Sequence, residues 1–116
     1  MIQINKKIIF DYKKAPIIIA EISGNHGGNK KKFLKLIDKA FSNGADLVKI
    51  QTYEAKDITL NKKIKKFTIK TGIWKNYNLW DLYNKACTPF EWHYDAFRIA
   101  KKHKKILFSS PFSTRA

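Results

Sequence analysis

Arginine is almost missing from this chain. Only Arg98 and Arg115 stand among 24 basic residues, so the formal charge of +15 is carried by lysine. Proteins that read nucleic acid favour arginine, whose planar fork matches phosphates and guanine edges. A lysine excess, in a chain also rich in asparagine and isoleucine, reads as the compositional bias of a low-GC genome laid over an ordinary fold. A basic nucleic-acid-binding module is the alternative from another functional class, and it would bind with a steep dependence on salt. Cysteine is reduced to Cys87, which excludes a disulfide within the chain and fits a reducing cytoplasm. No apolar run approaches the roughly 20 residues of a membrane span. Lys6, Lys7, Asp11, Lys13 and Lys14 interrupt the N-terminal part, which therefore lacks a signal-peptide layout. Neither a membrane nor a nucleic acid is the expected partner.

What is present is a core. Hydrophobic residues make up 44% of the 116, enough for one modest domain and too many for a disordered tail. Residues 2–10 hold two short β-prone pieces around Asn5-Lys6-Lys7, read as a hairpin; residues 1–15 would then cap the bottom of a barrel. Ile17-Ile18-Ile19-Ala20-Glu21-Ile22 reads as a strand buried on both faces. The loop 23–29 holds three of the five glycines. A helix over 30–43 follows, capped by Asn29, with Phe33, Leu34, Ile37, Ala40 and Phe41 as its apolar stripe and Gly44 as its stop. A second strand spans 46–52. Strand, helix, strand with short links is a βαβ unit.

Residues 54–78 make a long connection, and its aromatic and β-branched residues argue for order. A short helix is expected at 79–86. Thr88-Pro89-Phe90-Glu91 reads as an N-cap, N1 proline and capping box, opening a helix to about Lys102 that buries Phe90, Phe97 and Ala100. A third strand spans 106–110. The fold class is therefore α/β: the N-terminal portion of a TIM-type (β/α)8 barrel, with about three parallel strands, crossover helices and an N-terminal hairpin. A complete barrel of this type needs about 250 residues. No G-x-G-x-x-G fingerprint supports a dinucleotide half-domain.

Chemistry gathers at the strand ends, where such barrels keep their active sites. Glu21 is costly inside an apolar strand unless it is paired or functional, and Lys49 is its candidate partner. Lys49 and Gln51 share one side of their strand. Ser109 and Ser110 alternate, and Ser110 is the one assigned to the site. His26 sits on the glycine loop and can face a ligand or serve structure. His93 and His103 read as surface residues. Trp74, Trp80 and Trp92 read as core, Cys87 as inert, and the lysine clusters at 62–66 and 101–105 as solvated faces.

Ile-Ile-Ala-Glu-Ile-Ser-Gly-Asn-His (18–26), Gly-Ala-Asp-Leu-Val-Lys-Ile-Gln-Thr-Tyr (44–53) and Phe-Ser-Ser-Pro-Phe (108–112) resemble the first three strand motifs of the sialic acid synthase family. Phe-Thr-Ile-Lys-x-Gly-x-Trp (67–74), Leu-Trp-Asp-Leu-Tyr (79–83) and Thr-Pro-Phe-Glu-Trp-His (88–93) resemble its pseudaminic branch. The resemblance runs from about Pro16 to Phe112. Gly27, where asparagine is more usual, and Cys87, where histidine is common, depart from the pattern.

The resemblance implies condensation of phosphoenolpyruvate with the open-chain aldehyde of an N-acetylated amino sugar. For the pseudaminic branch that sugar is a 2,4-diacetamido-2,4,6-trideoxy hexose. The product is a nine-carbon 2-keto sugar acid, with phosphate released. A synthase for N-acetylneuraminate or legionaminate is the rival within the enzyme class. The resemblance also implies a divalent metal, Mn or Mg, whose ligands lie outside these residues, and a homodimer with an antifreeze-like domain after the barrel. Neither that domain nor the later strands fall within 1–116, so the isolated residues are expected to be inactive. By the same resemblance, Glu21 and Gln51 are the catalytic candidates. Lys49 and Ser110 would hold phosphoenolpyruvate, and Asn25 and His26 would touch the sugar.

Overall fold

The computed structural model describes residues 2–4 and 8–116. Ile2–Gln3 (β1) and Ile9–Phe10 (β2) pair antiparallel, with Ile2 opposite Phe10. The Asn5-Lys6-Lys7 turn of the expected hairpin lies outside the described residues.

The remaining strands form one parallel sheet: Ile19–Glu21 (β3), Leu47–Thr52 (β4) and Ile106–Pro111 (β5), with β4 in the centre. Parallel neighbours require a crossover connection. Lys30–Ser42 (α1) joins β3 to β4. The β4–β5 connection holds Ala55–Ile58 (α2), a 3-10 turn at Lys65–Phe67, Leu79–Ala86 (α3) and Trp92–His103 (α4).

Asn29 starts α1 by accepting the Lys32 N–H at 2.9 Å. The chain leaves the helix through Gly44, at φ +101°, where a Cβ would be strained. Phe33, Ile37 and Phe41 recur at i, i+4 and i+8 and form its buried stripe. They pack with Val48, Ile50 and Leu107 of the sheet and with Trp92, Ala96 and Ala100 of α4. At the rim of this layer Lys30 pairs with Asp95 and His103 with Asp38, each at 2.8 Å. The hydrogen bond from His103 holds the Asp38 carboxyl below the usual carboxylate range, and Lys30 does the same for Asp95.

The structure corrects several expectations. β3 is only three residues long, and Ile19 is 48% exposed where a strand buried on both faces was expected. α4 begins at Trp92, after a turn at Phe90–Glu91, and no side chain caps it. The Thr88 hydroxyl is engaged by His26 and does not complete the expected capping box. The helix buries Ala100 as expected, but the rest of its buried stripe differs. Trp92, Ala96 and Ala100 face inward, while Phe97 is 47% exposed and Phe90 is half-buried. His93 and His103 are half-buried and hydrogen-bonded, not free surface residues. Trp92 belongs to the core, whereas Trp74 is exposed. Lys105 departs from the solvated face expected for it, since its ammonium donates to the Ala45 carbonyl at 2.5 Å.

Candidate active site

Alternation along β4 sorts its side chains between two faces. Thr52 belongs to the helix side, where its Oγ1 lies 2.6 Å from His93 Nε2 and 2.5 Å from Ser109 Oγ. Lys49 and Gln51 therefore point to the opposite side. The register sets Glu21 beside Lys49 and Ser110 beside Gln51. With Ser109 turned to the helices, Ser110 shares the face of Lys49 and Gln51.

Glu21 is held from two sides. Its Oε2 forms an ion pair with Lys49 Nζ, and its Oε1 accepts the Ser23 N–H at 3.0 Å. Ser23 Oγ then donates to Gln51 Oε1 at 3.3 Å. Lys49, Glu21, Ser23 and Gln51 thus form one polar line along the rim. The Glu21 and Lys49 side chains remain 38% and 29% exposed. A pair this open to water contributes at most about 1 kcal/mol to stability. The fold does not need it, which favours a chemical role.

Ser23 sits at φ +48°, a left-handed conformation uncommon for a residue with a side chain. That conformation aims its N–H at Glu21 while its hydroxyl reaches Gln51. Asn25 anchors the same turn by donating from Nδ2 to the Ile22 carbonyl at 2.9 Å. A cleft of about 270 Å³ opens beside this line. Ser23, Asn25 and Gln51 form its polar wall, and Tyr53, Trp74 and Tyr83 form an aromatic one. Trp74 comes from the long connection, which a Thr68–Asn78 bridge and an Ile69 N–H to Tyr77 carbonyl bond of 3.0 Å hold in order. Burial, with smaller contributions from Cys87 and Tyr83, pushes the Tyr53 hydroxyl up to about 12, so it stays a neutral donor.

His26 is placed elsewhere. It is 1% exposed, packed edge-on against Phe33 and Trp92, with both ring nitrogens engaged inside the protein. A buried, satisfied imidazole does not touch a substrate in the cleft, and the expected sugar contact falls to Asn25 alone. Burial, then the charge of Lys32, lowers its pKa. Sequence reasoning missed Ser23 and the aromatic wall of the cleft, and Thr88 as the partner of His26. The glycine-rich turn was the available signal for Ser23; nothing local marked Thr88.

Chemically, the ammonium of Lys49 and the hydroxyl of Ser110 suit a carboxylate or phosphate. A fixed Glu21 can orient water or stabilise developing positive charge. Aromatic rings opposite amide and hydroxyl groups suit a ligand with one apolar and one polar side. Among the described residues no group of three or more His, Cys, Asp or Glu is placed to hold a metal ion. No helix among them is long and apolar enough to cross a membrane.

Known proteins resemble this chain in sequence and in fold. The model of the NeuB family matches residues 36–116. The chain is 44% identical over 104 residues to a pseudaminic acid synthase of Campylobacter jejuni, covering 90% of this chain and 30% of the relative. A pseudaminic acid synthase of Helicobacter pylori is 43% identical, with 87% and 30% covered. An N,N'-diacetyllegionaminic acid synthase of Campylobacter jejuni is 33% identical, with 85% and 30% covered. The chain thus spans about 30% of the length of the curated relatives it matches. Among solved structures, an N-acetylneuraminic acid synthetase of Leptospira borgpetersenii superposes with a TM-score of 0.65 at 23% identity, covering 85% of this chain and 30% of the other. The spore coat polysaccharide biosynthesis protein SpsE of Bacillus subtilis gives 0.59 at 26% identity, covering 93% and 26%. These neighbours are TIM-barrel enzymes, and the three-stranded parallel sheet with its helices is an α/β portion of that barrel. None of these relatives speaks for the nucleic-acid reading.

Proposed function

The chain belongs to the NeuB family, and from that premise we propose that its residues form part of a pseudaminic acid synthase. The reaction joins phosphoenolpyruvate to the aldehyde of a 2,4-diacetamido-2,4,6-trideoxy hexose and releases phosphate. Lys49 and Ser110 bind the anionic groups of phosphoenolpyruvate. Glu21, anchored by the Ser23 amide, orients the attacking water or stabilises the cationic centre. Gln51 shares this work, and Asn25 meets the sugar from the polar wall. The described residues offer no ligand cluster for Mn or Mg, so their part is to bind, orient and handle protons. A homodimer in the cytoplasm completes the proposal.

The observation that carries it is the difference in identity. Pseudaminic acid synthases reach 43–44% over 101–104 residues, against 33% over 100 residues for the legionaminic enzyme. The test is phosphate release by the complete gene product, given phosphoenolpyruvate and each candidate sugar in turn. Turnover preferring the 2,4-diacetamido-2,4,6-trideoxy altrose is expected. A preference for N-acetylmannosamine would move the assignment to the neuraminate branch. Light scattering of the same sample reads the dimer.

A further inference from the structure

Besides the end of β4 and Trp74, two separate parts of the chain line the cleft. The turn at 23–28 supplies Ser23 and Asn25, and α3 supplies Leu82 and Tyr83. They meet behind the cleft at two adjoining points. At the first, Gly24 lies so close to α3 that an added Cβ would stand 2.8 Å from the Ala86 Cβ. At the second, His26 Nε2 lies 3.3 Å from the Thr88 hydroxyl, just past the end of α3. Both side chains are only 1% exposed.

The other ring nitrogen fixes the sense of this bond. His26 Nδ1 accepts the Gly28 N–H at 3.0 Å, so it carries no proton. The proton of the neutral ring is on Nε2 and is donated to Thr88 Oγ1. Phe33 and Trp92 hold the ring edge-on, with centroids 5.5 and 5.4 Å away. One imidazole thereby binds its own turn through one nitrogen and the far wall through the other.

We propose that His26 and Thr88 are positioning residues, which hold the turn bearing Ser23 and Asn25 against α3 and so set the width of the cleft. Neither touches the substrate. Only the kinetic consequence rests on the synthase reading; the clamp itself is a property of the fold. Opening the cleft would weaken the hold on the sugar and leave Lys49 and Ser110, on the strands, in place.

The experiment compares Thr88→Val, which keeps the shape and removes the hydroxyl, with Thr88→Ser, which keeps the hydroxyl, in the complete gene product. Amide hydrogen exchange at Gly28 reads the clamp. It should quicken ~10-fold or more in Thr88→Val and stay near wild type in Thr88→Ser. For turnover, KM for the sugar should rise ~10-fold in Thr88→Val, with KM for phosphoenolpyruvate unchanged and Thr88→Ser close to wild type. A general loss of packing would instead raise both KM values and lower kcat together, and that result would overturn the proposal. Unchanged exchange at Gly28, or a Thr88→Ser variant as impaired as Thr88→Val, would also overturn it. If Thr88→Val does not fold, nitrogen shifts of the His26 ring in the wild type decide. A proton on Nε2 and none on Nδ1 supports the clamp, and the reverse removes it. A wild-type protein without turnover would sink the synthase reading and leave exchange and ring shifts to judge the clamp.

Discussion

On the side of the sheet that meets α1 and α4, Val48, Ile50 and Leu107 are sealed from water and the Thr52 and Ser109 hydroxyls are bonded within the layer. On the other side Leu47 is buried, but Ile19, Glu21, Lys49 and Gln51 remain partly open, and the polar groups bond mainly to one another. The same strands build both sides, one residue apart. Packing therefore specifies the first set, and chemistry is free to specify the second. From Val48 to Thr52, a substitution should register on the scale of stability or on the scale of turnover according to parity along the strand, while Leu47 belongs with the buried set.

The largest expected effect tests the sealed side. Phe33→Ala should cost ~3–5 kcal/mol in urea unfolding, because it leaves a cavity at a fully buried site. A loss under ~1 kcal/mol would mean that this face is not the core it is described to be. Next comes the open side. Lys49→Ala should lower turnover of the complete gene product by ~100-fold or more while unfolding shifts by less than ~1 kcal/mol. Near-normal turnover would end the assignment of Lys49, and a large shift in unfolding would erase the contrast between the faces.

A smaller effect probes the seam between the turn and α3. Gly24→Ala should raise KM for the sugar several-fold, since the new methyl meets Ala86. Adding Ala86→Gly should restore part of it, read as coupling in a double-mutant cycle. Strict additivity would show that the close approach has no consequence for binding.

The smallest effect is on pH. The folded-state pKa of His26 is depressed, by burial first and by Lys32 second. The unfolded chain therefore binds the proton more readily. Stability from neutral His26 is fully present above the unfolded value of about 6.5 and declines as pH falls below it. Asp38 and Asp95, also depressed, lose their contributions only in the more acidic carboxylate range. Unfolding at pH 7.5 and 5.5 should differ less in His26→Gln than in wild type. An equal pH slope in the two proteins would assign that loss to another group.

Local signals explain which parts were readable in advance. The α1 stripe and its Asn29 cap are short-range features, and the structure keeps both. The pairing of Glu21 with Lys49 followed from two motifs on neighbouring strands. The start of α4 was misread because Thr88-Pro89-Phe90-Glu91 satisfies a local capping rule, yet Thr88 bonds a histidine 62 residues away. Within the buried stripe of α4 Ala100 was read correctly, but Phe90 and Phe97 were misread because they outweigh alanines on any hydrophobic scale. Ala96 and Ala100 are buried because small side chains let the helix lie close to the layer beneath. Burial of His26 was not readable, since Phe33 and Trp92 reach it only through tertiary packing.

The strict period of two along β4 has a consequence for length as well as for composition. Inserting or deleting a single residue within Leu47–Thr52 would carry Lys49 and Gln51 toward Phe33 and Trp92 and turn Val48 and Ile50 outward. One indel would thus remove core and chemistry at a stroke. Those six residues should be intolerant of gaps, while the coil at 59–63 can gain or lose residues at far smaller cost.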